Sequence, residues 1–197
     1  IPNYQTWSLE ETRERIPGAD VLVVSGFWDN SLLEVAANLK FIQSVGAGYD
    51  QFPLDELRER GIRLASAQGV NLNGVSEHAF ALILALARKI HDARDNQRKR
   101  FWRSMITDIP VREDELPGKT LAIIGLGQIG SRVARIAKAF DMRVIATKRD
   151  PSTYDGPADD VLPPSEVGRL FDEADWLVLN CPLTDETRGI VDAEALR

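Results

Sequence analysis

The chain is predicted to be an α/β protein built as two doubly wound, parallel-sheet domains, residues 1–70 and 71–197, each incomplete. Three observations predict it. Short apolar, β-branched runs alternate with amphipathic stretches from one end to the other. A Gly125-x-Gly127-x-x-Gly130 turn stands between an apolar run and a helical pattern, with a second apolar run behind it. The 197 residues are 44% hydrophobic, enough to fill the core of one large domain or two small ones.

In chain order, "ADVLVVSG" (19–26) is a buried-strand signature closed by Gly26. "NSLLEVAANL" then spaces Leu32, Leu33, Val35, Ala36 and Leu39 as a helix would, with Asn30 or Ser31 as its N-cap. "KFIQSVGAG" is a second strand, "PLDELRERG" a helix from Pro53 to a stop at Gly61, and "IRLAS" a third strand. That alternation implies parallel pairing through right-handed crossovers.

The next helix, from Val75, carries residues 78, 79, 82, 83, 86, 87 and 90 on one face. Phe80, Ala81, Leu84 and Ala85 make its other side apolar too, so burial between domains or subunits is expected. It runs into "RKIHDARDNQRKRFWR" (88–103), with seven Lys or Arg against two Asp. That run is read as a solvated helix end rather than a nucleic-acid patch, with Phe101 and Trp102 packed where helix meets linker. Residues 108–118 are a polar connection.

Strand Leu121–Ile124 leads into the glycine turn; the helix behind it packs through Ile129, Val133, Ile136, Ala137 and Phe140, and strand 143–147 follows. Gly125 permits the tight turn, Gly127 lets backbone approach a pyrophosphate, and Gly130 lets helix pack on strand. Free N–H groups at the helix start can then bind phosphate. "PPSEVGRLFDEADWLVLNCPLTDETRG" adds a helix and a strand, 176–180. Its "CPLTDET" loop is expected near the cofactor, because doubly wound sheets bind ligands beyond the carboxyl ends of their strands.

The net charge of −6 argues against nucleic acid as a partner. A single cysteine excludes an internal disulfide and fits a reducing compartment. The longest apolar run, 79–87, is too short to span a bilayer, so a cytoplasmic protein is expected. Ile1 is not an initiator methionine, and the chain is read as a piece of a longer protein.

About twenty residues past the glycine turn, a dinucleotide site usually presents an acidic residue to a ribose. Here "VIATKRD" presents Lys148 and Arg149, with Asp150 behind them. Two cations suit the 2′-phosphate of NADP. The alternatives are a solvated turn started by Asp150, with NAD bound unaided, or Asp150 itself as the ribose acceptor.

"SVGAGYD" (44–50), "GVNLNGVSEHAFALILALAR" (69–88), "LPGKTLAIIGLGQIGSRVA" (116–134) and "PLTDETRGIVDAEAL" (182–196) together resemble the D-isomer-specific 2-hydroxyacid dehydrogenase family. The resemblance implies two Rossmann-like domains with a cleft between them, residues 1–70 being substrate-side. It implies homodimers formed through the cofactor domains, NADP or NAD as cofactor, and a small 2-keto or 2-hydroxy acid as substrate. Residue by residue, it implies that Val45, Gly46, Ala47 and Gly48 hold the substrate carboxylate through backbone and that Asn71 lines the cleft. Gln128 and Ile129 would give N–H groups to the pyrophosphate, Cys181 and Pro182 would line the cofactor pocket, and Thr187 would bond a phosphate or ribose. The family's Arg, Glu and His are expected beyond Arg197, so no catalytic residue is expected in this chain.

Neither histidine fills that gap: His78, beside Glu77, is read as packed and hydrogen-bonded, and His91 as solvated. Cys181 has no histidine near it in sequence, so it is not read as a nucleophile. Two histidines and one cysteine make no metal constellation. Asp141, where the family usually has Gly, has to accept a left-handed backbone. The reaction expected is reduction of a small 2-keto acid, glyoxylate or hydroxypyruvate among them. The rival is a dinucleotide-sensing regulator of the same fold.

Overall fold

The computed structural model describes residues 2–196, which divide into two compact units between Val70 and Asn71. In the first, β1 (Val21–Val24), β2 (Phe41–Ser44) and β3 (Arg63–Ala65) form a parallel sheet in that order, Val24 beside Ser44 and Phe41 beside Arg63. Leu22, Val24, Ile42 and Leu64 turn to one core with Leu32, Leu33 and Leu57, while Val21 and Val23 stay exposed.

α1 (Leu9–Arg15) was not expected from the sequence, although Ser8-x-x-Glu11 marks its start. The Ser8 side chain accepts the Glu11 N–H, and the Glu11 carboxylate accepts the Trp7 N–H. The helix expected over 30–39 is instead a five-residue 3-10 turn, Asn30–Glu34, capped by Asp29 rather than by Asn30 or Ser31. It stops at β-branched Val35, whose N–H returns to the carbonyls of Leu32 and Leu33. Leu32, Leu33, Ala36 and Leu39 are buried all the same, so the apolar spacing reported burial rather than helix type. α2 (Leu54–Glu59) starts after Pro53 and ends at Gly61, whose φ is +68°.

The second unit holds a four-stranded parallel sheet in the order β6-β5-β4-β7. These are β4 (Thr120–Ile124), β5 (Arg143–Thr147), β6 (Asp160–Leu162) and β7 (Trp176–Leu179). β6 was not expected; it is three residues long and pairs with Ile145–Thr147. Leu121, Ile123, Val144 and Ala146 face α3 (Leu72–Ala87) and α5 (Gln128–Ala139). Ala122, Ile124 and Ile145 face α6 (Val167–Glu173). Helices therefore cover both faces of this sheet, as the strand and helix pattern implied.

Of the stripe expected at 78, 79, 82, 83, 86, 87 and 90, only Ile83 and Ala87 are buried; Ser76 and Phe80 complete the buried side of α3. Leu82, Leu86, Ile90 and His78 are exposed, and no hydrogen bond holds His78 among the described residues. The helix is apolar on two sides, and its partner decides which side packs: Phe80 stacks on Phe140 of the α5 cap at 5.6 Å. Ser76 tolerates burial because its hydroxyl donates to the carbonyls of Leu72 and Asn73. Nor does α3 run on into the charged stretch. Lys89 adopts φ 47° and breaks the chain before α4 (Ile90–Arg98). Phe101 and Trp102 are exposed, Trp102 to 95%, and do not pack at the linker. Asp141 takes the left-handed backbone expected of it, φ 55°.

Candidate functional site: a glycine turn where the strand order reverses

In the second unit, β4 and β7 are neighbours although β5 and β6 lie on the other side of β4. Ligands of such sheets bind outside the carboxyl ends of the two strands that flank this reversal. Gly125 follows β4 directly, and Asn180-Cys181 follows β7. The two strand ends touch. A Cβ on Gly125 would meet Cys181 N at 2.6 Å and Cys181 Cα at 2.7 Å, and the backbone there has φ +97°. A Cβ on Gly130 would meet the Gly125 carbonyl oxygen at 2.4 Å. Glycine at these two positions lets α5, the turn and the end of β7 stack without side chains between them.

Gly127 differs from both. Its φ of −84° is open to any residue, and a Cβ there would meet nothing within 4 Å. It is the N-cap of α5, and no side chain caps that helix. The first N–H groups of a helix have no partner within it, so those of Gln128 and Ile129 are left for a ligand, in the positive end of the helix dipole. An open glycine, an uncapped helix and a strand reversal at one place fit the pyrophosphate of a dinucleotide.

β5 ends at Thr147, whose carbonyl accepts the N–H groups of Gly125 and Leu126 and so ties the turn to the neighbouring strand tip. Lys148 comes next; its Nζ lies 3.4 Å from the Leu126 carbonyl oxygen, beside the glycine turn. Arg149 is exposed and has no partner among the described residues. Asp150 does the work of a turn starter: its Oδ1 accepts from the Ser152 N–H at 3.1 Å and the Ser152 hydroxyl at 2.6 Å. The strand end falls where the sequence put it, and Asp150 is committed to the 3-10 turn Pro151–Thr153.

Cys181 is half-buried and packs on the α6-side core, with Pro182 after it. The Thr187 hydroxyl is occupied within its own loop. It donates to the Pro182 carbonyl at 2.6 Å and accepts the Thr184 N–H at 2.8 Å. It therefore shapes the "PLTDET" loop and has no proton left to give a phosphate. The residue overlooked in the sequence is Asn180. Its Nδ2 is buried and has no hydrogen-bond partner among the described residues.

Val45–Gly48 belong to the first unit, where they leave β2. Their inward groups are tied: Val45 N–H to the Val24 carbonyl, and the Gly46 carbonyl to the Ala67 N–H and the buried Ser44 hydroxyl. The N–H groups of Gly46, Ala47 and Gly48 have no partner among the described residues, an arrangement open to an anion. Asn71 precedes α3, is exposed and makes no capping bond. His91 is exposed beside Asp92 at 3.6 Å. No group of three or more His, Cys, Asp or Glu that could hold a metal occurs among the described residues, and no helix there is long and apolar enough to cross a membrane.

Residues 80–197 match the family model described as D-isomer specific 2-hydroxyacid dehydrogenase, NAD binding domain. The chain belongs to the D-isomer specific 2-hydroxyacid dehydrogenase family. Within it, the chain is 34% identical over 189 residues to a hydroxypyruvate reductase of Thermotoga maritima, spanning 95% of this chain and 59% of that one. An acyclic imino acid reductase solved with NADPH and D-Arg superposes with a TM-score of 0.80 at 29% identity, over 100% of this chain and 60% of its own. A D-lactate dehydrogenase of Aquifex aeolicus solved with NAD and lactic acid gives 0.78 at 26%, over 93% and 54%. The chain spans about half the length of the curated relatives it matches.

Proposed function

We propose that this family member is an NADP(H)-preferring reductase of small 2-keto acids such as glyoxylate or hydroxypyruvate, reversible as a D-2-hydroxyacid dehydrogenase, in the cytoplasm. The observation that carries the cofactor reading is the open, uncapped start of α5 behind Gly127, where the strand order reverses. The dinucleotide, when bound, supplies the hydride. The chain's own residues bind and orient. Gln128 and Ile129 N–H groups take the pyrophosphate, and Cys181 and Pro182 wall the pocket by backbone and ring. Thr187 acts through the shape of its loop. In the first unit the free N–H groups of Gly46, Ala47 and Gly48 suit the substrate carboxylate, with Asn71 as a further lining residue. The proton donor and the arginine that orients the keto acid lie beyond Arg197 in this reading. The reductase and dehydrogenase names of the relatives support an enzyme over a regulator. The assembly proposed is a homodimer through the second unit.

NADP preference rests on the β5 tip. Arg149 offers an unpaired planar fork and Lys148 a point charge, while Asp150 is held in its own turn. Charge-assisted hydrogen bonds are worth about 1.5–3 kcal/mol each. Two partly exposed ones give roughly 3–4 kcal/mol, a discrimination on the order of several-hundred-fold. The test is kcat/KM for NADPH over NADH in the full-length enzyme, wild type against Arg149→Ala and Lys148→Asp. The ratio should exceed one and fall in both variants, chiefly through the NADPH value. A wild-type preference for NADH, or indifference to both changes, would reduce the pair to a solvated turn.

A further inference from the structure

Asn180 closes β7, and its backbone is fixed on two sides. Its N–H donates to the Ile124 carbonyl at 2.8 Å, and its carbonyl carbon would lie 2.9 Å from a Cβ on Gly125. Along β7, Trp176 and Val178 pack into the core under α3 and α5, and Leu177 and Cys181 into the core under α6. By strand alternation Asn180 stands with Trp176 and Val178, on the face where α5 begins. An amide retained for the fold alone would be paired within the protein. This one buries a donor with no acceptor, which costs stability.

The strand order says what that donor could meet. Lys148 and Arg149 mark the β5 side of β4 as the adenosine end, and the α5 N-terminus at the tip of β4 takes the pyrophosphate. A dinucleotide laid across the tips in that order carries its nicotinamide half toward β7. We infer that Asn180 is a cofactor-binding residue whose carboxamide N–H donates to an oxygen acceptor on the nicotinamide-nucleoside half of the dinucleotide. The inference rests on the proposed dinucleotide site and adds to it a group on the β7 side.

Asn180→Leu in the full-length protein removes the donor at nearly constant size. Apo Tm should hold or rise, because an unpaired buried group is lost. Affinity for NADH and for NADPH should fall together by about two- to twelve-fold, the worth of one neutral hydrogen bond. Affinity for 2′-phospho-ADP-ribose lacking the nicotinamide should fall the same way only if the acceptor is on the ribose; 2′-phospho-ADP, which lacks the whole nicotinamide nucleoside, should bind as tightly as to wild type. Calorimetric titration reads each ligand, with Gly127→Val as the variant that loses all of them. A fall in apo Tm with dinucleotide affinity unchanged would make Asn180 a structural residue and overturn the inference, leaving the site standing. A loss shared by 2′-phospho-ADP would overturn the placement on the nicotinamide half. If wild type itself bound neither dinucleotide, the cofactor reading would fall and this inference with it.

Discussion

Gly125 and Gly127 belong to one turn yet answer to different physics. At Gly125 a side chain would meet the Cys181 backbone at 2.6 Å on a left-handed φ of +97°. Gly125→Ala is therefore expected to lower stability by more than about 2 kcal/mol, the left-handed cost plus the shift of β7. Denaturant titration reads this; an unchanged midpoint would show that β7 yields freely. At Gly127 a side chain would enter open space at an allowed φ. Gly127→Val should cost no more than about 1 kcal/mol of stability, the loss of a tolerated cap residue. Cofactor binding should vanish, because the branched side chain fills the approach to the Gln128 and Ile129 N–H groups. Undiminished affinity by calorimetry would leave the turn a turn. The glycine spacing was legible in the sequence because it stands between an apolar run and a helical pattern, the context that marks a dinucleotide turn. Asn180 and the occupied Thr187 hydroxyl were not, since whether a polar group has a partner depends on what the fold brings near it.

At the scale of elements, every strand but β6 was legible because β-branched runs bounded by turn residues leave few alternatives. What escaped is short or ambiguous. β6 is three residues, the 30–39 segment keeps helical spacing in a 3-10 turn, and α3 is apolar on two sides so that periodicity does not select its buried face. The break at Lys89 carries no glycine or asparagine to announce it. The tie between elements that titrates is Glu173 of α6, which accepts from Arg143 of β5 and from Arg169, itself paired with Asp160 of β6. The Arg143 hydrogen bond first, and that of Arg169 next, hold the Glu173 carboxyl below the usual range. Its folded value is thus below its unfolded one. The stabilisation is complete above the unfolded value, about pH 4.3, and is lost as pH falls through the folded value. Asp159 behaves alike: burial would raise it, but bonds from Lys138 and the Val144 N–H outweigh that and lower it. Thermal midpoints of wild type should drop on acidification below about pH 4. Glu173→Gln should start lower at neutral pH and fall less steeply. Parallel curves for the two proteins would remove Glu173 from the acid transition.

At the scale of the whole molecule, the second unit leaves apolar surface in the open. Leu82, Leu86 and Ile90 are 53%, 59% and 53% exposed on one side of α3 and at the start of α4, and Trp102 is almost fully exposed. Covering the exposed half of three such aliphatic side chains returns about 3 kcal/mol, and a tryptophan of 150–250 Å² about 4–6 kcal/mol. In a two-fold pair each copy contributes once, giving roughly 14–18 kcal/mol against about 4–15 kcal/mol of lost freedom on association. The balance runs from about break-even to about 14 kcal/mol in favour of association, so a dimer is the expected outcome, with the helix pair and the Trp102 segment as its surface. Residues 1–197 at tens of micromolar should therefore sediment above the mass of one chain. Leu86→Glu should shift that distribution toward a single chain, since it places a charge in the centre of the covered surface. Glu14→Gln, in the first unit, is the control that should change nothing. A wild-type chain that sediments as a monomer throughout, or a Leu86→Glu variant that associates as wild type does, would move the dimer contact off this face.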